Sequence, residues 1–389
     1  MIFKIKWILR TEKIFFILIW YYLFKNVNIK MLNNKDYLYK KYIYFCKKSR
    51  RFNIIENKSI ISPYLSICLV VYNMEKYIER ALLSILNQSF KDYEIIIIND
   101  FSNDKTNNII NNFQMKESKI KIYYHHKNLG TFASRVDAVL KSSGKYIIFL
   151  DPDDLFLNPN LFKRLYAFNL KYNLDIIEFT VYNENEDRNN LYYPEDHRIN
   201  HYHNFSDEII YQPELSNILF YDPKTGNISY VYCRNIWNKI IKKNILLKTF
   251  DFIGKEYYKS KYFIFAEDTI MNILNFQFSS NYSNIYLPGY MYNIRINSAS
   301  HGDFINISLI NDNAFLYLSL FFKYIKYFSK TINILLYEMI FIKNYLSNFK
   351  GFNHTYFDLK SKSFFKMILD DKNLSLNSKF LINNFSFYY

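Results

Sequence analysis

The sequence predicts an α/β fold: a doubly wound, mostly parallel sheet, preceded by a basic N-terminal helical arm and followed by a C-terminal helical region. Three observations predict it. Continuous apolar runs rich in β-branched residues recur between Leu65 and Leu150, as expected of strands buried on both faces. Each run is followed by a stretch with helical apolar spacing, and such repetition joins parallel strands through crossover helices. The alternation is missing before residue 61 and after about residue 305.

Taken in order, "LSICLVV" (65–71) reads as the first buried strand. "EKYIERALLSILNQ" (75–88) puts Ile78, Leu82, Ile85 and Leu86 on one helical face. "YEIIIIND" (93–100) is the second strand, and "DKTNNIINNFQMK" (104–116) a helix with an Asp/Thr start. "KIKIYYH" (119–125) alternates as a third strand. "TFASRVDAVLKSS" (131–143) is a helix with Gly144 at its C-cap, and "KYIIFL" (145–150) the fourth strand. Beyond Leu155 the pattern fades: a helix is expected over 159–173 and a strand at "DIIEF" (175–179), while the polar stretch 183–204 reads as a long insertion. From about Ile305, Leu/Ile/Phe-rich segments with interspersed Lys read as amphipathic helices too short in apolar length to cross a membrane. The chain therefore divides into an arm (1–60), a main domain (61–304, halved at 156/157) and the helical region (305–389). No solenoid-length repeat is seen.

A chain of 389 residues, half of them hydrophobic, can bury a sizeable core. With 38 Tyr and 37 Phe but only 7 Gly, the bias is chain-wide, so aromatic patches are discounted as functional signals. The net charge of +15 is uneven. Residues 1–60 hold 14 Lys and Arg against 3 Asp and Glu, leaving 36 against 32 for the rest. Such an arm suits an anionic membrane surface or nucleic acid, or is a solvated basic helix. Cys46, Cys68 and Cys233 show no metal-ligand spacing, and their odd count points to a reducing compartment. The apolar run "IFFILIWYYLF" (14–24) would reach about 16 Å as a helix, half a bilayer core. No Ala or Gly precedes Ala81, so a small-residue cleavage site is missing. Trp20, Tyr21 and Tyr22 beside lysines suit an interfacial anchor; a helix packed on the protein's own core is the alternative.

The chemistry concentrates at "YIIFLDPDDLF" (146–156), where a core strand runs into Asp151, Asp153 and Asp154. Like charges this close repel. In a doubly wound sheet, ligands bind beyond the carboxyl ends of the strands. Strand one ends at Tyr72-Asn73, strand two at Asn99-Asp100 and strand four at the aspartates, so parallel strands would bring them to one edge. Mg²⁺ or Mn²⁺ would compensate the charge, since both prefer carboxylate oxygen and keep positions open for phosphate. The other reading is a helix N-cap by Asp153 or Asp154.

With those residues in view, the chain resembles family 2 glycosyltransferases, which have the GT-A fold. The matching pieces are "SICLVVYNMEKYIERALLSILNQSFKDYEIIIINDFSNDKT", "NLGTFASRVDAVLKSSGKYIIFLDPDD", "WNKII" (237–241), "FAEDTIMN" (265–272) and "YNIRINSAS" (292–300), in family order. The resemblance implies an inverting hexosyl- or hexosaminyl-transferase acting in surface polysaccharide synthesis. Its donor would be a nucleotide-diphospho-sugar and its acceptor a glycan or lipid-linked glycan. It would work in the cytoplasm, peripherally at the inner face of the cell membrane. Tyr72, Asp100, Arg135, Asp151 and Arg295 would serve the donor, with Asp100 on the base and Asp151 on the ribose side. Asp153, with Asp154 and His301, would hold the metal, and Trp237 would line the acceptor side. Asp268 would be the general base with Glu267 beside it, and the metal would offset charge on the leaving diphosphate. Two positions depart from the family: Phe101 replaces a small residue and Val136 an Asn.

Three competing readings fare worse. A nucleic-acid-binding protein would have to dock its polyanion near the acidic strand ends. An inactive scaffold would not need Asp100, Asp151, Asp153 and Asp268 intact. A nucleotidyltransferase would carry a Gly-rich basic loop after strand one, and "VYNMEKY" has no glycine.

Overall fold

The computed structural model describes residues 62–185, 190–192, 209–212, 235–255, 266–294, 307–328 and 354–371. The arm with its 14–24 run, Arg295, His301, Cys46 and Cys233 lie outside them.

The first half follows the expected alternation. Strand β1 (Leu65–Val71) leads to α1 (Ile78–Leu86), β2 (Tyr93–Asn99), α2 (Thr106–Gln114), β3 (Ile120–Tyr124), α3 (Thr131–Lys141) and β4 (Tyr146–Phe149). These four strands pair in parallel in the order β3-β2-β1-β4. The chain steps outward from β1 to β3, then returns through α3 to the other side of β1. Right-handed crossovers therefore put α1 and α2 on one face and α3 on the other. That explains why β2 and β4 are buried at every residue and β1 at all but one. The reversal between β1 and β4 makes their carboxyl ends the topological switch point, where an open α/β sheet binds ligands.

The second half is mixed. After β5 (Leu155–Phe156) and α4 (Leu161–Tyr172) come β6 (Ile176–Asn185), β7 (Asn190–Tyr192), β8 (Ile209–Tyr211) and β9 (Lys239–Lys242). Helices α5 (Lys243–Ile253) and α6 (Glu267–Phe278) precede β10 (Asn281–Ile294). The sheet continues β4-β9-β6-β10-β5, with β9 antiparallel to both β4 and β6, and β10 parallel to β6. The strand expected at 175–179 thus runs to Asn185 and turns back through β7, so part of the expected insertion is a hairpin. Helices α7 (Ile307–Tyr327) and α8 (His354–Leu369) occupy the expected helical region. No described helix is long and apolar enough to cross a membrane.

Gly144 is not the cap expected of it. Helix α3 ends at an extended Ser142. A Cβ on Gly144 would lie 2.5 Å from Ser66 Oγ and 2.6 Å from the Ser66 nitrogen, so glycine lets the turn into β4 press against β1. Buried Glu94 fixes that contact. It accepts from Ser66 Oγ (2.7 Å), Ser143 Oγ (2.7 Å), the Gly144 N–H (3.2 Å) and Lys121 Nζ (2.7 Å). Burial alone would raise its pKa, but these donors hold it down to about 2.

Candidate active site

The loops after β1 and β2 are laced together. The Asn73 N–H donates to Ser102 Oγ (3.0 Å), and Asn73 Oδ1 accepts from the Asn103 N–H (2.8 Å). The Met74 N–H donates to Thr106 Oγ1 (2.8 Å), the Glu75 N–H to Asp104 Oδ2 (3.0 Å) and the Lys105 N–H to Glu75 Oε2 (2.9 Å). Asn73 and Phe101 both take positive φ, 53° and 70°. Tyr72 and Phe101 are exposed at this edge.

Asp100 is buried, and its carboxylate faces inward. It accepts from the N–H groups of Leu129 and Gly130, both at 2.8 Å, and meets His125 Nδ1 at 2.8 Å. The other ring nitrogen of His125 lies 3.1 Å from Asp137 on α3. Hydrogen bonds to Asp100 and Asp137 push the imidazole up to about 9 against the opposing effect of burial. The position expected to contact a nucleobase is thus also the anchor of the 125–130 turn.

The aspartates after β4 separate into different environments. The Asp151 N–H donates to Tyr290 Oη (3.2 Å), and the Tyr290 hydroxyl donates to Asp154 Oδ2 (2.7 Å). Asp154 Oδ1 accepts from the Asn293 N–H (2.7 Å). Burial, with Asp153 and Asp151 close by, raises the Asp154 pKa well above the carboxylate range. Asp154 is an internal anchor, and the element after it is strand β5, so neither Asp153 nor Asp154 caps a helix. Asp151 and Asp153 are only partly buried, and Arg80 Nη2 secures the loop by donating to the Asp153 carbonyl. Trp237 sits behind this loop, 5% exposed, its ring stacked on Tyr290 (4.3 Å) and Tyr292 (5.4 Å). It backs the wall of the site rather than presenting a ring face to it.

Arg135 joins the pieces. From the middle of α3 its guanidinium reaches Asp151 Oδ1 (3.2 Å), Glu267 Oε1 (3.4 Å) and Asp268 Oδ1. It also lies over the Phe149 ring, 5.8 Å from the centroid. Burial disfavours its charge, but the three carboxylates more than compensate and raise its pKa. Glu267 and Asp268 occupy the first turn of α6, where the helix dipole favours acids. Burial and the charge of Asp268 push Glu267 up to about 8. Burial also raises Asp268, opposed by Arg135.

Among the sequence candidates, the fold gathers Asp151, Arg135, Glu267 and Asp268 into one cluster, with Tyr72, Asp100 and Asp153 on the strand-end loops of the same edge. Sequence reading missed His125, Tyr290 and Arg80. His125 directly follows the third strand and so could have been found from the edge argument. Tyr290 was masked by the chain-wide aromatic bias.

Fold and cluster together define a doubly wound α/β domain whose ligand edge is acidic and built around one buried arginine. Residues 66–237 match the model of Glycosyl transferase family 2, so that stretch is similar to this family. An uncharacterized glycosyltransferase of Haemophilus influenzae is 43% identical over 103 residues, 26% of this chain and 41% of the relative. A GalNAc(5)-diNAcBac-PP-undecaprenol beta-1,3-glucosyltransferase of Campylobacter jejuni is 36% identical over 98 residues, 25% of this chain and 31% of the relative. The chain thus spans less than half the length of either. The crystal structure of S. aureus TarS 1-349 in complex with UDP-GlcNAc superposes with a TM-score of 0.49 at 16% identity, covering 82% of this chain and 80% of that one.

Proposed function

We propose that the protein is an inverting glycosyltransferase that moves a sugar from a nucleotide-diphospho-sugar to a hydroxyl of a glycan or lipid-linked acceptor in surface polysaccharide synthesis. The observation that carries this reading is the Arg135 cluster. It holds a candidate base on α6 at Nη1 and the ribose-side candidate Asp151 at Nη2 of one guanidinium. Inversion needs a base facing the acceptor on the side away from the leaving group. Asp268, made more basic by burial and paired with Arg135, fits that task. Glu267, raised by burial and by the charge of Asp268 beside it, fits a neighbour that orients. The lipid-linked acceptor is proposed by analogy with the undecaprenol-linked substrate in the name of the Campylobacter relative.

A divalent cation fits the donor set in a particular way. Among the described residues, no three His, Cys, Asp or Glu side chains converge on a ligating geometry. Mg²⁺ is often held by only one or two carboxylates plus substrate phosphates, and Asp153 with Asp151 supplies that number at the edge. Asp154, its oxygens occupied by Tyr290 and Asn293, is left out of the proposed set. Bound there, the cation would offset charge on the departing diphosphate. Arg135 orients the carboxylates, and the laced loops hold the donor edge rigid.

The test is a donor screen. Full-length protein with Mn²⁺ and a panel of nucleotide sugars should release nucleoside diphosphate slowly by hydrolysis, faster with acceptor. Absence of release and of binding across the whole panel would sink the reading.

A further inference from the structure

The peptide group joining Asn235 to Ile236, just before β9, is held at both ends. Its N–H donates to the Asp268 carboxylate on the first turn of α6. Its carbonyl accepts from Lys239 Nζ (2.7 Å) at the start of β9, and from Asn272 Nδ2 (2.9 Å) one turn further along α6. A cation, one planar amide and a carboxylate are thereby linked in series. The carbonyl and N–H of a trans peptide point in opposite directions. The amide dipole therefore turns its negative end to Lys239 and its positive end to Asp268. Hydrogen bonds in such a chain polarise one another.

Lys239 is fully buried, 0% exposed, a place lysine almost never takes unless paired. It faces Glu178 across the β6–β9 ladder, Nζ to Oε2 at 3.3 Å, and donates to Asn238 Oδ1 (2.9 Å). Glu178 also accepts from Asn238 Nδ2 (3.2 Å) and the Tyr282 hydroxyl (3.0 Å). Stability alone is a poor account of this pair, because apolar residues of similar volume often replace a buried ion pair without loss. What the ammonium supplies, and an apolar side chain would not, is a fixed donor on the Asn235 carbonyl.

We infer that Lys239 is a positioning residue for Asp268, acting through the single peptide group between Asn235 and Ile236; this rests on the glycosyl-transfer reading, in which Asp268 is the base. Arg135 divides its donors among Asp151, Glu267 and Asp268. The Ile236 N–H gives Asp268 a second donor from a different element, so the carboxylate is fixed in rotation as well as in place. A base must lie within hydrogen-bond reach of the proton it takes, and a small misplacement slows the reaction steeply. Burial raises the Asp268 pKa, and the charge of Lys239 is among those that oppose it.

The test keeps the fold and removes the cation. Losing Lys239 alone would strand Glu178 as an unpaired buried charge. Lys239→Met is therefore made together with Glu178→Gln, and E178Q is the reference. Asp268→Asn is added to each, closing a double-mutant cycle. The full-length proteins, with Mn²⁺, are given UDP-GlcNAc, UDP-glucose, UDP-galactose and GDP-mannose. Nucleoside diphosphate release is followed for whichever donor wild type cleaves, with water in the acceptor's place. At saturating donor, K239M/E178Q should be about 5- to 100-fold slower than E178Q, the span seen for coupled residues of one hydrogen-bond network. The KM for donor and the melting temperature should match those of E178Q. In the D268N background the same change should cost less than about 2-fold. A rate equal to that of E178Q overturns the link, as does a loss confined to KM. Equal losses with and without D268N also overturn it, assigning Lys239 to packing. If D268N alone leaves release unchanged, the base assignment fails and the link with it. If wild type neither cleaves nor binds any of the donors, the glycosyl-transfer reading fails for them and takes the link down too.

Discussion

Arg135 is one positive charge facing three carboxylates in a largely buried site, and its partners come from two parts of the chain distant from it and from each other. Asp151 is 16 positions away and Asp268 is 133. Each acid could be suspected from sequence, because clustered like charges at a strand end or helix start call for an explanation. Their common partner could not, because it depends on β4, α3 and α6 meeting in space. The proposed base follows from this cluster. Asp268→Asn keeps size and polarity but cannot accept the acceptor proton. Single-turnover transfer at saturating donor should fall by roughly 10²–10⁴-fold, with donor affinity near wild type. Glu267→Gln should do less; a larger loss there would transfer the role to Glu267. The two neighbouring aspartates of the β4 loop should also part company. Asp153→Asn should abolish Mn²⁺-dependent binding of the nucleoside diphosphate without lowering the melting temperature. Asp154→Ala should instead destabilise by about 1–3 kcal/mol, because it leaves the Tyr290 hydroxyl and Asn293 N–H unpartnered in a buried place. Calorimetry and thermal unfolding of both variants check the contrast, and an unchanged affinity in the Asp153 variant would remove it from the ligand set.

At the scale of elements, β1 to β4 and α1 to α4 were readable because strands covered on both faces are apolar throughout and their helices are periodic. Strand β10 was not. It contains Pro288 and Gly289, residues that count against a strand interior. The register against β6 shifts on either side of Pro288, so a bulge absorbs the proline. A Cβ on Gly289 would come within 2.6 Å of Leu161 Cδ1, so glycine makes room for α4. Only the tertiary contacts turn these breakers into fitting residues. The same scale holds a pH-dependent latch. His125, at the end of β3, ties Asp100 after β2 to Asp137 on α3, and those two acids are the charged groups that touch it. Its folded pKa, about 9, lies above the ordinary value near 6.5. Its stabilisation is therefore complete below about pH 6.5 and is lost as pH rises through about 9. His125→Gln should lower the melting temperature clearly at pH 6 and little at pH 10. An equal deficit at both would mean that the ring contributes packing and no charge.

At the scale of the whole molecule, charge is partitioned. Residues 1–60 carry 14 Lys and Arg against 3 Asp and Glu, whereas the remainder is nearly balanced at 36 against 32. The body's strand-end edge is acidic, so an anionic surface would be met by the arm and repelled by that edge. That arrangement suits a protein whose acceptor is proposed to sit in a membrane. Each basic residue near an anionic bilayer contributes on the order of 1 kcal/mol, and the short apolar run at 14–24 could add interfacial burial. Deleting residues 1–58 should therefore release the protein from vesicles containing anionic lipid while sparing hydrolysis of the donor. Attachment of the full-length chain should weaken from 0.1 M to 1 M salt, as the screening length shrinks from about 10 Å to about 3 Å. Co-sedimentation with anionic and with neutral vesicles separates charge from insertion. Binding lost in salt and on neutral lipid marks an electrostatic arm. Retention through a carbonate wash would mean that residues 14–24 insert. Equal pelleting of the truncated and full-length proteins would assign membrane attachment to the body and refute the arm.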